Sequence, residues 1–331
     1  MTTSKVEISS RTIVFTVFFL LALKFLWIIK DLLFSLFIAL ILVSALRQPV
    51  NFLVKRRIPR LLAAGIVYFI FLFCIGNMIG LIIPPLISEV THLLRNLPSI
   101  IQNSSPYLSS FISPDVLTQY VPDITRRTID IIKGIFSNTF FIISTLFFGF
   151  YLLLEDNPLK KILLNFYEEK EVRQPLSIFE KAETALNKWF WGEITLMVVI
   201  GVMTFIGLNL IGMKYVLALS VFAGFLEVIP NIGPVTSLVP AVIIGFSQSY
   251  FLGFACIALY FIIQQLENHI IVPLVMRKAV GLHPVITLIA LIIGGKLAGV
   301  LGAILAVPAT LFLQILLIEI TKSKKSVVKT K

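Results

Sequence analysis

Glu227 stands just ahead of Pro230-Asn231-Ile232-Gly233-Pro234, inside sequence that is otherwise apolar. A second polar group, Gln264, Gln265, Glu267 and Asn268, closes a later apolar run. Lys296 follows Gly294-Gly295 in a third. A carboxylate, an amide or an ammonium within an apolar helix costs several kcal/mol in a bilayer, on the order of 3 by insertion scales, unless it is paired or neutralised. Such residues persist where a pathway or a binding site uses them. The chemistry open to them is proton carriage, cation coordination and hydrogen bonding to a polar solute.

Each residue keeps a second, structural reading. Glu227 either contacts solute or a coupling proton, or braces the turn by accepting its N–H groups. Asn231 either binds solute or satisfies broken backbone. Gln264, Glu267 and Asn268 share one helix face at i, i+3 and i+4 spacing, which is a pathway face or a solvated one. Lys296 is a candidate partner for a carboxylate such as Glu267.

Other chemistries lack their residues. Cys74 and Cys256 lie within apolar segments and read as buried small hydrophobes. His92, His269 and His283 have no ligand spacing, so no metal site is expected. Gly295-Lys296 lacks the upstream glycine and the hydroxyl of a phosphate loop. No Ser/His, zinc or aspartate-pair signature marks an enzyme, and no cofactor is expected.

These residues sit in a chain of 331 residues, 58% hydrophobic and only 14% charged, with a mean hydropathy of +0.98. Soluble domains carry about a quarter charged residues. Long apolar segments recur from end to end, so the expected class is an all-α integral membrane protein. The first apolar segment has no small-residue cleavage site, and Asp31 opens another directly, so it reads as a span. The net charge of +11 lies beside apolar segments, where the positive-inside rule accounts for it without nucleic acid.

Six spans are expected, at Thr12–Ile29, Leu32–Leu46, Leu61–Ile83, Thr139–Leu154, Ile194–Ile211 and Phe251–Leu266. Two further blocks, Val216–Gln248 and Val285–Ile318, each contain a break, giving about eight membrane segments. Arg47, Lys55, Arg56, Arg57 and Arg60 crowd one loop, and Lys322, Lys324, Lys325, Lys329 and Lys331 crowd the C-terminal tail. Both belong in the cytoplasm under the positive-inside rule, with the N-terminus beside them. Residues 84–137 then form an extracytoplasmic helical loop, with apolar residues at a 3.6-residue period from Leu86 to Ile101. Glu155–Trp191 reads as a cytoplasmic amphipathic helix anchored by Trp189 and Trp191 at the interface. The expected division is 1–83 as N-terminal scaffold spans, 84–137 as the loop, 138–192 as a span with the amphipathic helix, 193–318 as the transport region and 319–331 as a basic tail.

Parity of the basic flanks makes the broken blocks informative. Val216–Gln248 must start and finish outside, and Val285–Ile318 must start and finish inside. Two full crossings need about 40 residues plus a turn, more than either block has. Half-length helices meeting at a break fit better, with tips at Ile232–Thr236 and Ala298–Leu301. The blocks share a pattern: Gly233-Pro234 leads to Pro240-Ala241, and Gly302 leads to Pro308-Ala309. Inverted hairpins of this kind build transporter sites near the bilayer midplane. The competing reading is pairs of short tilted spans packed through Gly295-x-x-x-Gly299. On the hairpin reading, Gly295, Gly299, Gly302 and Ala306 make a smooth surface for a moving unit.

Taken together, Glu227-Val228-Ile229-Pro230-Asn231-Ile232-Gly233-Pro234, Gln265 with Glu267 and Pro273, Gly281-Leu282-His283-Pro284, and Gly294-Gly295, Gly299, Gly302 and Pro308 resemble the autoinducer-2 exporter family of bacterial membrane proteins. The resemblance covers nearly the whole chain. It implies a multi-span protein of the bacterial inner membrane that forms homo-oligomers, pentamers in the family's associated cases, and exports the furanone signal autoinducer-2. Some relatives are described as sodium or lithium/proton antiporters. The expected function is a secondary exporter of a small, polar, uncharged solute, with autoinducer-2 leading and a cation/proton antiporter as the alternative. A non-transporting scaffold is the third possibility. The expected partners are solute, lipid and further copies of the chain.

Overall fold

The computed structural model describes residues 10–77, 80, 139–230, 232–276 and 282–329. The expected extracytoplasmic loop at 84–137, Asn231 and Gly281 lie outside the described residues. Every described element is helical: α1 Ser10–Ile28, α2 Lys30–Lys55, α3 Arg60–Asn77, α4 Thr139–Leu154, α5 Pro158–Leu164, α6 Glu169–Leu210, α7 Val216–Leu226, α8 Ile232–Gln248, α9 Tyr250–Leu266 and α10 Pro284–Lys329. Six helices among the described residues are long and apolar enough to cross a membrane, and α4 with α5, bent by 75°, makes a seventh candidate. Asn157 starts α5 by accepting from the backbone N–H of Lys160, with Pro158 in the first turn.

Both broken blocks are hairpins. The first joins α7, 11 residues long, to α8, 17 residues long, through a turn that begins at 227–230. Its two feet meet where the Lys214 N–H donates to Gln248 Oε1 at 3.3 Å. The tip falls earlier than Ile232–Thr236, because Ile232, Gly233 and Pro234 already form the first turn of α8, where proline needs no N–H partner. Gly233 is required there, since a Cβ would collide with the Leu226 carbonyl.

In the second block α10 reverses at Ala298 and Gly299, the latter at φ +60° and ψ −137°, a conformation reserved for glycine. Along a straight helix Gly294 and Gly302 would stand about 12 Å apart. Instead each blocks a Cβ on the other with its carbonyl. Gly294 and Gly302 therefore seal the hairpin's own arms. Among the described residues Gly295 and Gly299 have no heavy atom within 4 Å of an added Cβ, and Ala306 is buried.

Two further expectations are corrected. The second span extends through Lys55, 26 residues with Pro49 inside. Arg47 and Lys55 therefore lie on a helix, not in a loop, and Arg47 gains a partner, Glu183 Oε2, at 2.6 Å. Residues 169–210 form one 42-residue helix in place of an interfacial helix followed by a span. Trp189 is 5% exposed and packs with Ile41, Leu186, Leu305 and Leu311, so it is a core residue and not an interfacial anchor. Trp191 remains half exposed and donates its indole N–H to the Ala45 carbonyl at 3.4 Å.

The long helix α6 is the spine. Its first half packs on α2 and on the second arm of α10. Its second half packs on α7 and α9. The α6–α7 crossing is glycine on glycine: a Cβ on Gly224 would stand 2.7 Å from the Met197 carbonyl oxygen and 3.2 Å from Gly201 Cα.

Candidate functional site

The site forms where α6, the end of α7 and the end of α9 converge. Close packing at Gly201 and Gly224 lets Glu227, at the tip end of α7, come level with the start of the apolar half of α6. Helix α9 runs 17 residues, about 25 Å, and then continues through a π-turn at Glu267–Ile271. That widened turn inserts a residue, re-aims the side chains after it, and is a frequent feature of functional sites. Glu267 opens that turn in register with the buried stripe Gly253, Cys256, Tyr260 and Ile263 and is 5% exposed, while Asn268 is left outside.

Three carboxyl groups gather there. Glu193 on α6, Glu227 and Glu267 are all at or below 5% exposure. Glu227 and Glu267 are hydrogen-bonded to each other. A carboxyl–carboxyl bond needs one proton between the two groups, because both cannot be ionised at contact distance. Gln264 also bonds Glu267, and its Nε2 reaches Asn268 Oδ1 at 3.5 Å. Glu193 lies within electrostatic reach of both Glu267 and Glu227. It is not in ligating contact: among the described residues no three His, Cys, Asp or Glu side chains converge closely enough to hold a metal ion. Oε2 of Glu227 and Oε2 of Glu267 are buried without a hydrogen-bond partner among the described residues.

The turn satisfies its own backbone. Val228 N–H donates to the Phe225 carbonyl, Ile229 to Leu226, Ile232 to Pro230 and Gly233 to Ile229. Among the described residues the tip therefore does not draw on the Glu227 carboxyl, which turns to Glu267 instead. Pro230 lies in the turn and Pro234 in the first turn of α8.

The other sequence candidates fall elsewhere. Gln265 is exposed on the far face of α9, where its carbonyl meets His269 Nδ1 at 2.9 Å. Lys296 is exposed on the first arm of the second hairpin and forms no ion pair among the described residues. The expected Lys296–Glu267 pair is absent from that set, since Glu267 faces Glu227. Pro240 lies within α8, and Pro308 is fully buried in the second arm of α10. Glu193 was not among the sequence candidates. It follows Trp191, which placed it at a supposed interface, yet the stripe Ala182, Leu186, Trp189, Leu196, Ile200 carries it on the buried face.

Comparison with known proteins agrees with this architecture. Residues 13–322 match the family described as AI-2E family transporter. "Putative transport protein YueF" of Bacillus subtilis (strain 168) is 28% identical over 306 residues, 86% of this chain and 83% of that protein. "Putative transport protein YrrI" of the same organism is 27% identical over 333 residues, 94% of each. "Putative permease PerM" of Escherichia coli (strain K12) is 23% identical over 308 residues, 84% of each. With its hairpins, its spans and a match over nearly its whole length, the chain belongs to the AI-2E transporter family and is a multi-pass membrane transporter.

Proposed function

We propose that this protein is a proton-coupled secondary exporter of a small, neutral, polar organic solute, with autoinducer-2 as the leading solute. The observation that carries the reading is the Glu227–Glu267 carboxyl pair, buried and sharing a hydrogen bond. A pair that must hold one proton can exchange it for hydrogen bonds to a solute, and loading one ligand then alters affinity for the other. The unpartnered Oε2 atoms of both residues supply the acceptors a hydroxyl-bearing solute needs.

The test is transport in proteoliposomes carrying a pH-sensitive dye. Glu227→Gln and Glu267→Gln each lower proton-coupled efflux of autoinducer-2 by at least tenfold while the purified protein stays folded. Normal coupled transport by both variants would sink the reading. A second reading, sodium or lithium/proton antiport, is favoured by Glu193, whose carboxyl adds negative charge beside the pair. Proton release driven by sodium or lithium, with no organic solute present, selects it.

We also propose the bacterial inner membrane as its location, both termini cytoplasmic, on the strength of the basic flanks. Assembly into homo-oligomers, pentamers by family resemblance, is supported by α1. Its apolar residues from Ile13 to Ile28 are largely exposed and α1 has little packing of its own.

A further inference from the structure

The three helices that carry the carboxyls carry a second set of polar groups. On α7, Ser220 precedes Glu227 by two turns, about 10 Å. On α9, Tyr260 precedes Glu267 by two turns, again about 10 Å. On α6, which runs the opposite way, Thr204 follows Glu193 by three turns, about 16 Å. Intervals of two and three turns return to the same helix face, so each hydroxyl lies on the face of its helix that bears the carboxyl, displaced toward the Lys214–Gln248 end.

Two of these hydroxyls are orphans. Thr204 is 1% exposed and Tyr260 7% exposed, and neither side-chain oxygen has a hydrogen-bond partner among the described residues. The contrast within the molecule is specific. Thr16, Thr145, Thr184, Thr195, Thr236, Thr287, Thr310 and Thr321 all donate to the carbonyl four residues back. Thr204 does not take that bond. Tyr68, the other buried tyrosine, donates to the Leu146 carbonyl at 2.7 Å. Ser220 donates to the Leu217 carbonyl, which leaves its oxygen free to accept. Tyr260 joins a cluster with Leu208, one turn beyond Thr204, and with Met213, Leu219, Ala241 and Ile244, which closes the seam toward the Lys214–Gln248 end.

We propose that Thr204, Ser220 and Tyr260 form a second, uncharged station of the translocation pathway, which receives a small neutral hydroxyl-bearing solute from the carboxyl tier. Hydroxyls both donate and accept, so they match such a solute without the charge that would hold a cation. A buried hydroxyl without a partner carries an unmet hydrogen-bonding demand that a polar solute can satisfy. The station rests on the reading of the carboxyl tier as the first station, and the experiment separates the two.

The full-length protein is reconstituted with Cys74→Ser and Cys256→Ala, and a single Thr204→Cys is exposed to a small polar methanethiosulfonate. The station predicts labelling at least tenfold faster than Ala241→Cys, slowed by autoinducer-2 or xylitol as neutral probes. It also predicts that Thr204→Val with Tyr260→Phe lowers probe transport at least tenfold and that Thr204→Ser retains it. Labelling no faster than Ala241→Cys, with or without probe, overturns the station. So does normal probe transport by the double variant, which would leave only water in the seam. If neither probe is transported by the parent protein, the labelling rate alone decides. Loss of transport in the double variant with full activity in Glu227→Gln upholds the station and removes the carboxyl tier; the reverse removes the station alone.

Discussion

At the scale of single residues, the site depends on groups that contradict their surroundings. Glu193, Glu227 and Glu267 place three acids in an apolar core, and the shared proton of the Glu227–Glu267 pair lets two of them coexist. Glycine controls how closely their helices approach. Gly233→Ala puts a methyl against the Leu226 carbonyl in a turn that cannot yield, since Gly233 N–H is itself bonded to Ile229 at 2.9 Å. The expected cost is about 1–3 kcal/mol, the range for overpacking. Thermal unfolding in detergent should show it as a lowered midpoint, with transport lost in proportion.

At the scale of elements, the two hairpins use different devices for the same task. The first ends its short arm in a hydrogen-bonded turn and restarts with Pro234 in the opening turn of α8. The second reverses within two residues, at Ala298 and Gly299, and closes its arms glycine on glycine. Gly299→Ala forces a side chain into backbone space that only glycine occupies freely and should cost about 1–3 kcal/mol. Gly295→Ala meets open space and should be neutral or stabilising by up to about 1 kcal/mol, as glycine-to-alanine changes in helices are. Melting curves of the two single variants, side by side, test whether the reversal sits where the backbone places it. Equal effects would place it elsewhere.

At the scale of the whole molecule, α6 divides its packing between two bodies. Aromatic interlock fixes the second hairpin to the N-terminal helices, with Phe312 at 6.0 Å from Phe37 and 6.5 Å from Phe179. The α6–α7 contact has no ring-on-ring interlock among the described residues: Gly201 meets Gly224, and Leu208 packs with Leu219 and Ala223. Relative motion is easier across the smooth contact, since interdigitated side chains must unpack before they slide. A tether between Phe37→Cys and Phe312→Cys should therefore leave transport within about twofold of the untethered double variant. Arrested transport would assign the second hairpin to the moving body. Orientation has its own check. Single cysteines at Ser249 and His283 should label from opposite faces of sealed vesicles, and labelling from one face would break the inverted arrangement.

The sequence by itself determined the class and the broken blocks, because hydropathy and Pro/Gly breaks are local signals that a bilayer enforces. It also carried Glu227 and Glu267 as candidates, since a carboxylate in apolar sequence is conspicuous. It could not say that they bond to each other, because that contact depends on how α7 and α9, separate segments of the chain, both pack against α6. It placed Trp189 and Trp191 at an interface, because one helix's pattern does not reveal which length of it is covered by others. Only tertiary structure decided that α6 runs unbroken through that region, and that Gly201 and Gly224 draw α7 close enough to bring Glu227 into reach of Glu193. The hydroxyls of Thr204 and Tyr260 are the plainest case. Threonine and tyrosine are unremarked in sequence, and their lack of partners is a property of what three separate segments leave around them.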